Sequence, residues 1–385
     1  HLEYVGIPFA PEDDVDKDGV YSGCAFVDDG LMHIFYTGNV KEDGDYDFVL
    51  EGRYANIVHV TSKDGITFSE KKCVLTNADY PYYYSCHIRD PKVWKENGKY
   101  YMVLGGRDRE DKGRVLIYES QNLDSWRFVC DQTTDYDFGF MWECPDVFSI
   151  EGKEILSISP QGLPSEEYIY QNGDQSGYFL VEGDVTNTCH LDDFKEWDMG
   201  FDFYAPQSFQ DNKGRRILIG WMGLPAMDYT NPTIDMGWQH NLTLPREVSI
   251  CDNKVCQQPI EEVRALRDKK LTTIDIASSK ELLTYEIDIK DIDNRELDII
   301  ISGGLHIMYA PKTKVFQIKF TSDIGCGRGV RKAWLEELQT LDIYVDTSVV
   351  EIYINKGEMV FATRFYPQIN KVEGIEDIEA CDIWS

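Results

Sequence analysis

The sequence predicts an all-β protein, a β-propeller followed by a β-sandwich. Three observations carry that expectation. The composition is rich in strand-forming aromatics, with 23 Tyr, 18 Phe and 8 Trp. One hairpin pattern recurs four times in the first two thirds of the chain, and the last third changes to strict period-two alternation. At 385 residues the chain exceeds what one ordinary core fills, so a repeat architecture or two domains is expected.

The four hairpins read CAFVDDGLMHIFYTG from Cys24, PKVWKENGKYYMVLG from Pro91, PDVFSIEGKEILSIS from Pro145 and PQSFQDNKGRRILIGW from Pro206. Each is an aromatic-ended strand, an acidic or glycine turn and a second apolar strand. The marker aromatics Phe26, Trp94, Phe148 and Phe209 lie 68, 54 and 61 residues apart, a spacing of blade size. A weaker repeat, HVTSKDGITF from His59 and IYESQNLDSW from Ile117, reads as outer strands of the same blades. Radial repetition of such units protects sheet edges by closure. A sandwich with hairpins alike by chance is the rival, and the regular recurrence argues against it.

The repeat region spans residues 1–256. Residues 257–270 (QQPIEEVRALRDKK) are polar, carry a Pro and read as a short helical linker. From 271 to 385 the pattern alternates. TYEIDI places Tyr285, Ile287 and Ile289 on one face, and LDIYV (341–345) and VVEIYI (349–354) come next, the latter joining MVFATRFY across Asn355-Lys356-Gly357-Glu358. Antiparallel hairpins of this kind predict a sandwich, read as a structural appendage without chemistry of its own.

Acidic residues outnumber basic ones 68 to 38, a net charge of -30, with no Lys/Arg-rich block. Nucleic acid and anionic membranes are therefore excluded as expected partners. No apolar run approaches the length of a membrane span. The ten cysteines form no CxxC and read as reduced thiols, which points to the cytoplasm, with secretion the alternative. Nothing specifies an oligomeric state.

In a propeller the first strand of each blade lines the channel, so its leading residues surround one opening. Tyr21-Ser22-Gly23, His87-Ile88-Arg89-Asp90, Trp142-Glu143-Cys144 and Asp202-Phe203-Tyr204-Ala205 precede the four hairpins at equivalent repeat positions. A converging Asp, Glu, Arg and several aromatics is the inventory of a carbohydrate site: carboxylates for proton transfer and aromatics for sugar faces. Taken singly, Arg89–Asp90 reads as a structural ion pair, Glu143 as a partly buried carboxylate and Tyr204 as a core aromatic. Only the combination is informative.

These segments resemble the glycoside hydrolase family 32 enzymes. YSGCAF is similar to the family's aromatic-Ser-Gly-Ser-Ala segment with Cys24 in place of Ser, HIRDPKVW carries its Arg-Asp-Pro motif and MWECPDVF its Glu-Cys-Pro motif. FDFYAPQSF, RILIGWMGLP and GWQHNLTLPRE resemble bacterial sucrose-6-phosphate hydrolases, and VDTSVVEIYINKGE resembles the family's sandwich signature. The resemblance covers nearly the whole chain. It implies a five-bladed propeller, a β-sandwich and retaining hydrolysis of the β-fructosidic bond of sucrose or sucrose 6-phosphate. By matching position, Glu143 is the implied acid/base and Asp90 the transition-state stabiliser, with Arg89 beside it. Tyr21, Ser22, Trp142, Tyr204 and Trp221 are implied to line the fructose pocket. The resemblance implies no metal or organic cofactor, and the chain independently lacks a clustered His/Cys ligand set.

One departure stands out. The family's nucleophile is an Asp in a Trp-Met-Asn-Asp-Pro-Asn-Gly motif of the first blade, which this sequence does not contain. His1 through Pro11 resembles the family's segment just after that blade, so further strands carrying the nucleophile are expected before His1, and the 385-residue chain alone is expected not to turn over sugar. Asp14, Asp16 and Asp18 read as a solvated acidic loop. The open alternatives are a non-catalytic sugar-binding propeller, a levan or inulin hydrolase and an arabinan-cleaving relative. Arg107 and Arg109 are candidates for a phosphate contact.

Overall fold

The computed structural model describes residues 4–11 and 14–385. His1–Glu3, part of the N-terminal segment compared above, lie outside the described residues. The chain divides into two compact units, His1–Leu163 with Tyr178–Lys195, and Pro164–Gly177 with Glu196–Ser385.

The first unit is built from antiparallel meanders. One sheet runs β1 (Val20–Asp28), β2 (Leu31–Lys41), β3 (Arg53–Ser62), β4 (Lys72–Leu75), and the next runs β5 (Tyr84–Glu96), β6 (Lys99–Asp108), β7 (Gly113–Ser120), β8 (Arg127–Gln132). A third has the order β9 (Met141–Ile150), β10 (Lys153–Gln161), β11 (Gly177–Gly183), β12 (Cys189–Leu191). The turns that sequence pattern marks are two-residue turns with positive φ at both positions: Asp29-Gly30, Asn97-Gly98 and Glu151-Gly152. That geometry matches the right-handed twist of the flanking strands, which is why Asp, Asn and Gly recur there. The segments from His59 and Ile117 lead from the third strands, β3 and β7, into the turns before β4 and β8.

In the second unit, after the two-residue strand β13 (Lys195–Glu196), a fourth meander runs β14 (Tyr204–Gln210), β15 (Arg216–Met222), β17 (Arg246–Cys251), β18 (Lys254–Pro259), with β16 (Asn241–Leu242) also paired to β15. Helix α1 (Glu261–Arg264) falls in the expected linker, while Gln257–Pro259 still belong to β18; α2 (Thr273–Ser278) comes next.

Two five-stranded sheets then form a sandwich. One runs β26 (Met359–Arg364), β25 (Val349–Ile354), β24 (Leu341–Val345), β19 (Tyr285–Ile289), β28 (Cys381–Trp384). The other runs β23 (Val330–Trp334), β22 (Val315–Phe320), β21 (Leu305–Ala310), β20 (Leu297–Ile301), β27 (Val372–Glu373). Their inner faces share one core, in which Ile287, Ile343 and Ile352 meet Ile299, Ile307 and Phe316. Tyr285, Ile287 and Ile289 share the buried face as expected. The alternate residues Glu286 and Asp288 are buried too, because Arg267 donates to both Glu286 oxygens at 2.6 and 2.7 Å.

The leading strand of every meander is irregular at the same repeat position. Register shifts fall between Val20 and Gly23 in β1, Arg89 and Lys92 in β5, and Tyr204 and Gln207 in β14. In β9 the shift lies opposite Ser157 to Ser159, between Asp146 and Glu143. Asp90, Cys144 and Ala205 take positive φ (60°, 48° and 49°), and each precedes a proline. A positive φ at a non-glycine residue costs on the order of 1–3 kcal/mol, and such strain gathers at functional sites. A bulge re-aims the side chains around it.

Candidate active site

In the first unit the bulges of β5 and β9 bring Arg89, Asp90 and Glu143 together. Arg89 Nε and Nη2 donate to Glu143 Oε1 at 2.9 and 2.6 Å, and Gln161 Nε2 donates to Glu143 Oε2 at 2.8 Å. Arg89 stands 4.0 Å from Asp90 Oδ2, so its main partner is Glu143 and not its sequence neighbour. Although burial opposes it, Glu143 and Asp90 hold the Arg89 guanidinium above its ordinary pKa.

Asp90 is 7% exposed. Its amide donates to Thr37 Oγ1 at 3.0 Å, and its Oδ2 accepts from the Cys144 amide at 2.9 Å, with the Cys144 thiol at 3.6 Å. Its Oδ1 has no hydrogen-bond partner among the described residues. Burial pushes the Asp90 carboxyl pKa up, while Arg89 pulls it down.

Tyr21 and Ser22 are exposed on β1. Arg53 Nη2 donates to Tyr21 Oη at 3.2 Å, and Arg53 Nε donates to Asn39 Oδ1 at 2.7 Å. Arg53 Nη1 also lies 3.0 Å from His87 Nε2. Burial, together with Arg89, Arg53 and Arg107, pushes His87 down to about 3, so its ring is neutral. Cys24, at the position of the family's serine, is half-buried; burial of its thiol pushes the pKa up to about 11, and the sulfur accepts from the Val93 amide at 3.3 Å.

Trp142 differs from the expected sugar-facing role. Its side chain is fully buried, donates from Nε1 to the Phe138 carbonyl at 2.7 Å and packs against Phe179. A Cβ at Gly113 would stand 2.2 Å from the indole, so Gly113 is what makes room for it. Trp142 therefore supports β9 from within. Glu143, the next residue, is met by Arg89 and Gln161 and not by the indole.

The acidic loop also differs from expectation at one position. Asp16 is fully buried, because its Oδ2 accepts from Tyr36 Oη at 2.7 Å and pairs with Lys71 at 2.8 Å. Arg107 is neutralised by Asp111, with bonds of 2.8 and 2.6 Å, and Arg109 donates to the Tyr82 carbonyl at 3.2 Å.

In the second unit Tyr204 is buried against Trp221, ring centroids 6.4 Å apart, and Trp221 meets His240 at 4.9 Å. The Ala205 amide donates to Ser176 Oγ at 3.0 Å. Sequence reasoning did not single out Gln161, Thr37, Arg53 or His240. Gln161 was findable, since it ends the strand paired with β9 beside Glu143. Among the described residues no group of three or more His, Cys, Asp or Glu is arranged to hold a metal ion.

Two carboxylates thus meet on bulged leading strands of a bladed repeat, one clamped by arginine and one with an open oxygen. The chain belongs to glycoside hydrolase family 32. The family's N-terminal domain, described as "Glycosyl hydrolases family 32 N-terminal domain", matches residues 1–259, and its C-terminal domain matches 253–382. The protein is thus a glycosidase whose fold is a β-propeller followed by a β-sandwich. Sucrose-6-phosphate hydrolase of Bacillus subtilis is 38% identical over 377 residues, covering 94% of this chain and 77% of its own. A solved sucrose-6-phosphate hydrolase from Lactobacillus gasseri superposes with a TM-score of 0.87 at 25% identity, covering all of this chain and 81% of that one. A variant of a Bombyx mori family 32 β-fructofuranosidase, solved in complex with sucrose, has a TM-score of 0.78 at 28% identity, covering 95% and 78%.

Proposed function

We propose that this protein cleaves the β-fructosidic bond of sucrose and sucrose 6-phosphate by a retaining, two-step mechanism. The observation that carries the reading is the Arg89–Glu143–Asp90 cluster, read beside the relatives' activity. Glu143 protonates the departing glycosidic oxygen and then, as the base, activates water. In the geometry described, both Glu143 oxygens accept hydrogen bonds, which is the base form. Rotating the Gln161 amide by a half turn would offer its oxygen to a protonated Glu143, so one neighbour serves both states.

Asp90 Oδ1 accepts hydrogen bonds from fructosyl hydroxyls. Tyr21 and Ser22 contact the sugar, and Arg89 positions Glu143. The propeller runs through β18 to Pro259, residues 260–270 form the linker and 271–385 the sandwich, and the protein acts in the cytoplasm.

The test is Glu143→Gln in the full-length protein. Loss of about 10²–10⁴-fold in sucrose turnover is expected, with a smaller loss on an activated fructoside whose leaving group needs no proton. Near-native sucrose turnover by the variant would remove Glu143 from this role.

A further inference from the structure

In the first unit four strands meet at the side chain of Arg53, the first residue of β3. Its Nε donates to Asn39 Oδ1 of β2 at 2.7 Å, its Nη1 to His87 Nε2 of β5 at 3.0 Å and its Nη2 to Tyr21 Oη of β1 at 3.2 Å. Each nitrogen serves a different strand, and all three acceptors are neutral. A guanidinium holds its donors in fixed directions, whereas an ammonium is a single point, so this junction calls for arginine. The Arg53 carbonyl also accepts from Asn77 Nδ2 at 2.8 Å, which ties down its backbone.

Arginine only donates, so His87 Nε2 is the acceptor and the ring proton is on Nδ1. The ring's backbone hydrogen-bond partner is Phe48. Burial, then Arg89, Arg53 and Arg107, hold His87 at about 3, so Nε2 remains an acceptor throughout the neutral range. His87 lies two residues before Arg89 and feels both the Arg89 and Arg53 charges, which puts Arg53 in the neighbourhood of the Arg89–Glu143 pair.

Tyr21 keeps 36% of its surface exposed, yet its ring is held from two sides. A Cβ at Gly19 would stand 2.5 Å from the ring, so the ring lies against the Gly19 backbone, whose φ is 151°. Arg53 holds the Oη, with its guanidinium 5.7 Å from the ring centroid. Asn39, the second partner of Arg53, fixes the chain that enters β1. Its amide donates to the Gly19 carbonyl at 2.9 Å, its Nδ2 to the Asp18 carbonyl at 3.3 Å, and the Asp18 amide donates to the Asn39 carbonyl at 3.0 Å. A ring ordered before the substrate arrives spares the ordering cost at binding, and that gain falls on bound substrate and transition state alike.

We infer that Arg53 is the positioning residue for Tyr21, setting how tightly the fructosyl substrate is held without touching it. The inference rests on the fructosidase reading for its substrate. In the full-length protein, Arg53→Met is expected to raise KM for sucrose about ten-fold while kcat changes by less than about three-fold. Arg53→Lys keeps the charge and should show the same split with a smaller rise in KM, which covers the case in which Arg53→Met does not fold. Tyr21→Ala should raise KM by a similar factor, and adding Arg53→Met to it should change KM no further, since the residue being positioned is gone. An unchanged KM in the Arg53 variants, or a full further rise on top of Tyr21→Ala, overturns the inference. A lower melting temperature with KM and kcat per folded molecule unmoved does so too.

A second measurement needs no turnover. The ring-carbon resonance of Tyr21 in protein carrying isotope-labelled tyrosine, assigned by its loss in Tyr21→Phe, should shift in Arg53→Met and shift less in Arg53→Lys. If the unmodified full-length protein hydrolyses no fructoside, the fructosidase reading fails, and this resonance alone decides whether Arg53 holds Tyr21. A shifted resonance then sustains the positioning role, and an unmoved one overturns it in either case.

Discussion

Each unit contains an arginine clamped to carboxylates, and the two clusters differ in how completely their partners are used. In the second unit Arg246 is fully buried. It donates to Asp198 Oδ2 at 2.9 Å, to Glu351 Oε2 at 2.8 and 3.2 Å and to Gln257 Oε1 at 3.2 Å. Asp198 Oδ1 is filled by the Gly200 and Ala362 amides, and Glu351 by the Leu244 amide and Tyr353 Oη. Every carboxylate oxygen there has a donor. In the first unit the Arg89 and Glu143 side chains keep 14% and 15% of their surface, and Asp90 Oδ1 has no donor among the described residues. A saturated cluster can only hold the fold together, whereas one with an open oxygen at the surface can still bind a hydroxyl. The same residue types become structural or functional according to what is left unsatisfied.

The largest expected effect tests the structural half of that contrast. Arg246→Ala leaves Asp198 and Glu351 as uncompensated buried charges, and should cost about 3–5 kcal/mol of stability. Urea unfolding of the variant followed by tryptophan fluorescence measures this. A loss within about 1 kcal/mol would mean that the cluster is solvated and the contrast false.

Arg89→Met tests the other half. It should lower kcat about 10²-fold by letting Glu143 leave its position, while the melting temperature moves far less than in Arg246→Ala. Because Arg89 acts through Glu143, the pH profile of kcat/KM should also change, which loss of a merely structural arginine would not cause. Arg89→Lys should restore only part of the rate, since a point charge cannot reproduce the two-pronged contact. Equal losses of stability in the Arg89 and Arg246 variants would erase the distinction. A smaller effect is expected from Gln161→Met, about five-fold in kcat from one lost hydrogen bond to Glu143. No change would place Gln161 outside the site.

Periodicity accounts for the part of the fold that was legible in the sequence. Asp-Gly, Asn-Gly and Glu-Gly turns between apolar runs located the inner hairpins, and the alternating segments LDIYV and VVEIYI coincide with β24 and β25. The hidden part depended on partners distant in the chain. Arg89 adjoins Asp90, yet neighbours on a strand point to opposite faces, and the bulge at Asp90 gives Arg89 to a carboxylate 54 residues away. Asp16 looked solvated because Tyr36 and Lys71, which bury it, lie 20 and 55 positions later. Trp142 looked like a sugar platform because nothing in its own segment shows that the space at Gly113 receives its ring.

The smallest expected effect concerns a third polar cluster, buried in the first unit but without an arginine. His59 is 7% exposed and stacks on Phe35 with ring centroids 4.3 Å apart. His33 Nδ1 lies 3.0 Å from His59 Nε2, and Asp124, itself paired with Lys72, stands 4.0 Å from His59 Nδ1. Burial, then His33 and Lys72, push His59 from 6.5 down to about 4 against the pull of Asp124. A histidine depressed in the folded state stays neutral while the unfolded chain takes up its proton, so its effect is absent above pH 6.5 and stability is lost as pH falls from there toward 4. His59→Gln keeps a polar group beside His33 but cannot titrate, so its melting temperature should fall less between pH 7 and pH 5 than that of the unmodified protein. Identical slopes would show that Asp124 compensates the proton on His59, and that this cluster, like the one at Arg89, carries a charge the fold can tolerate.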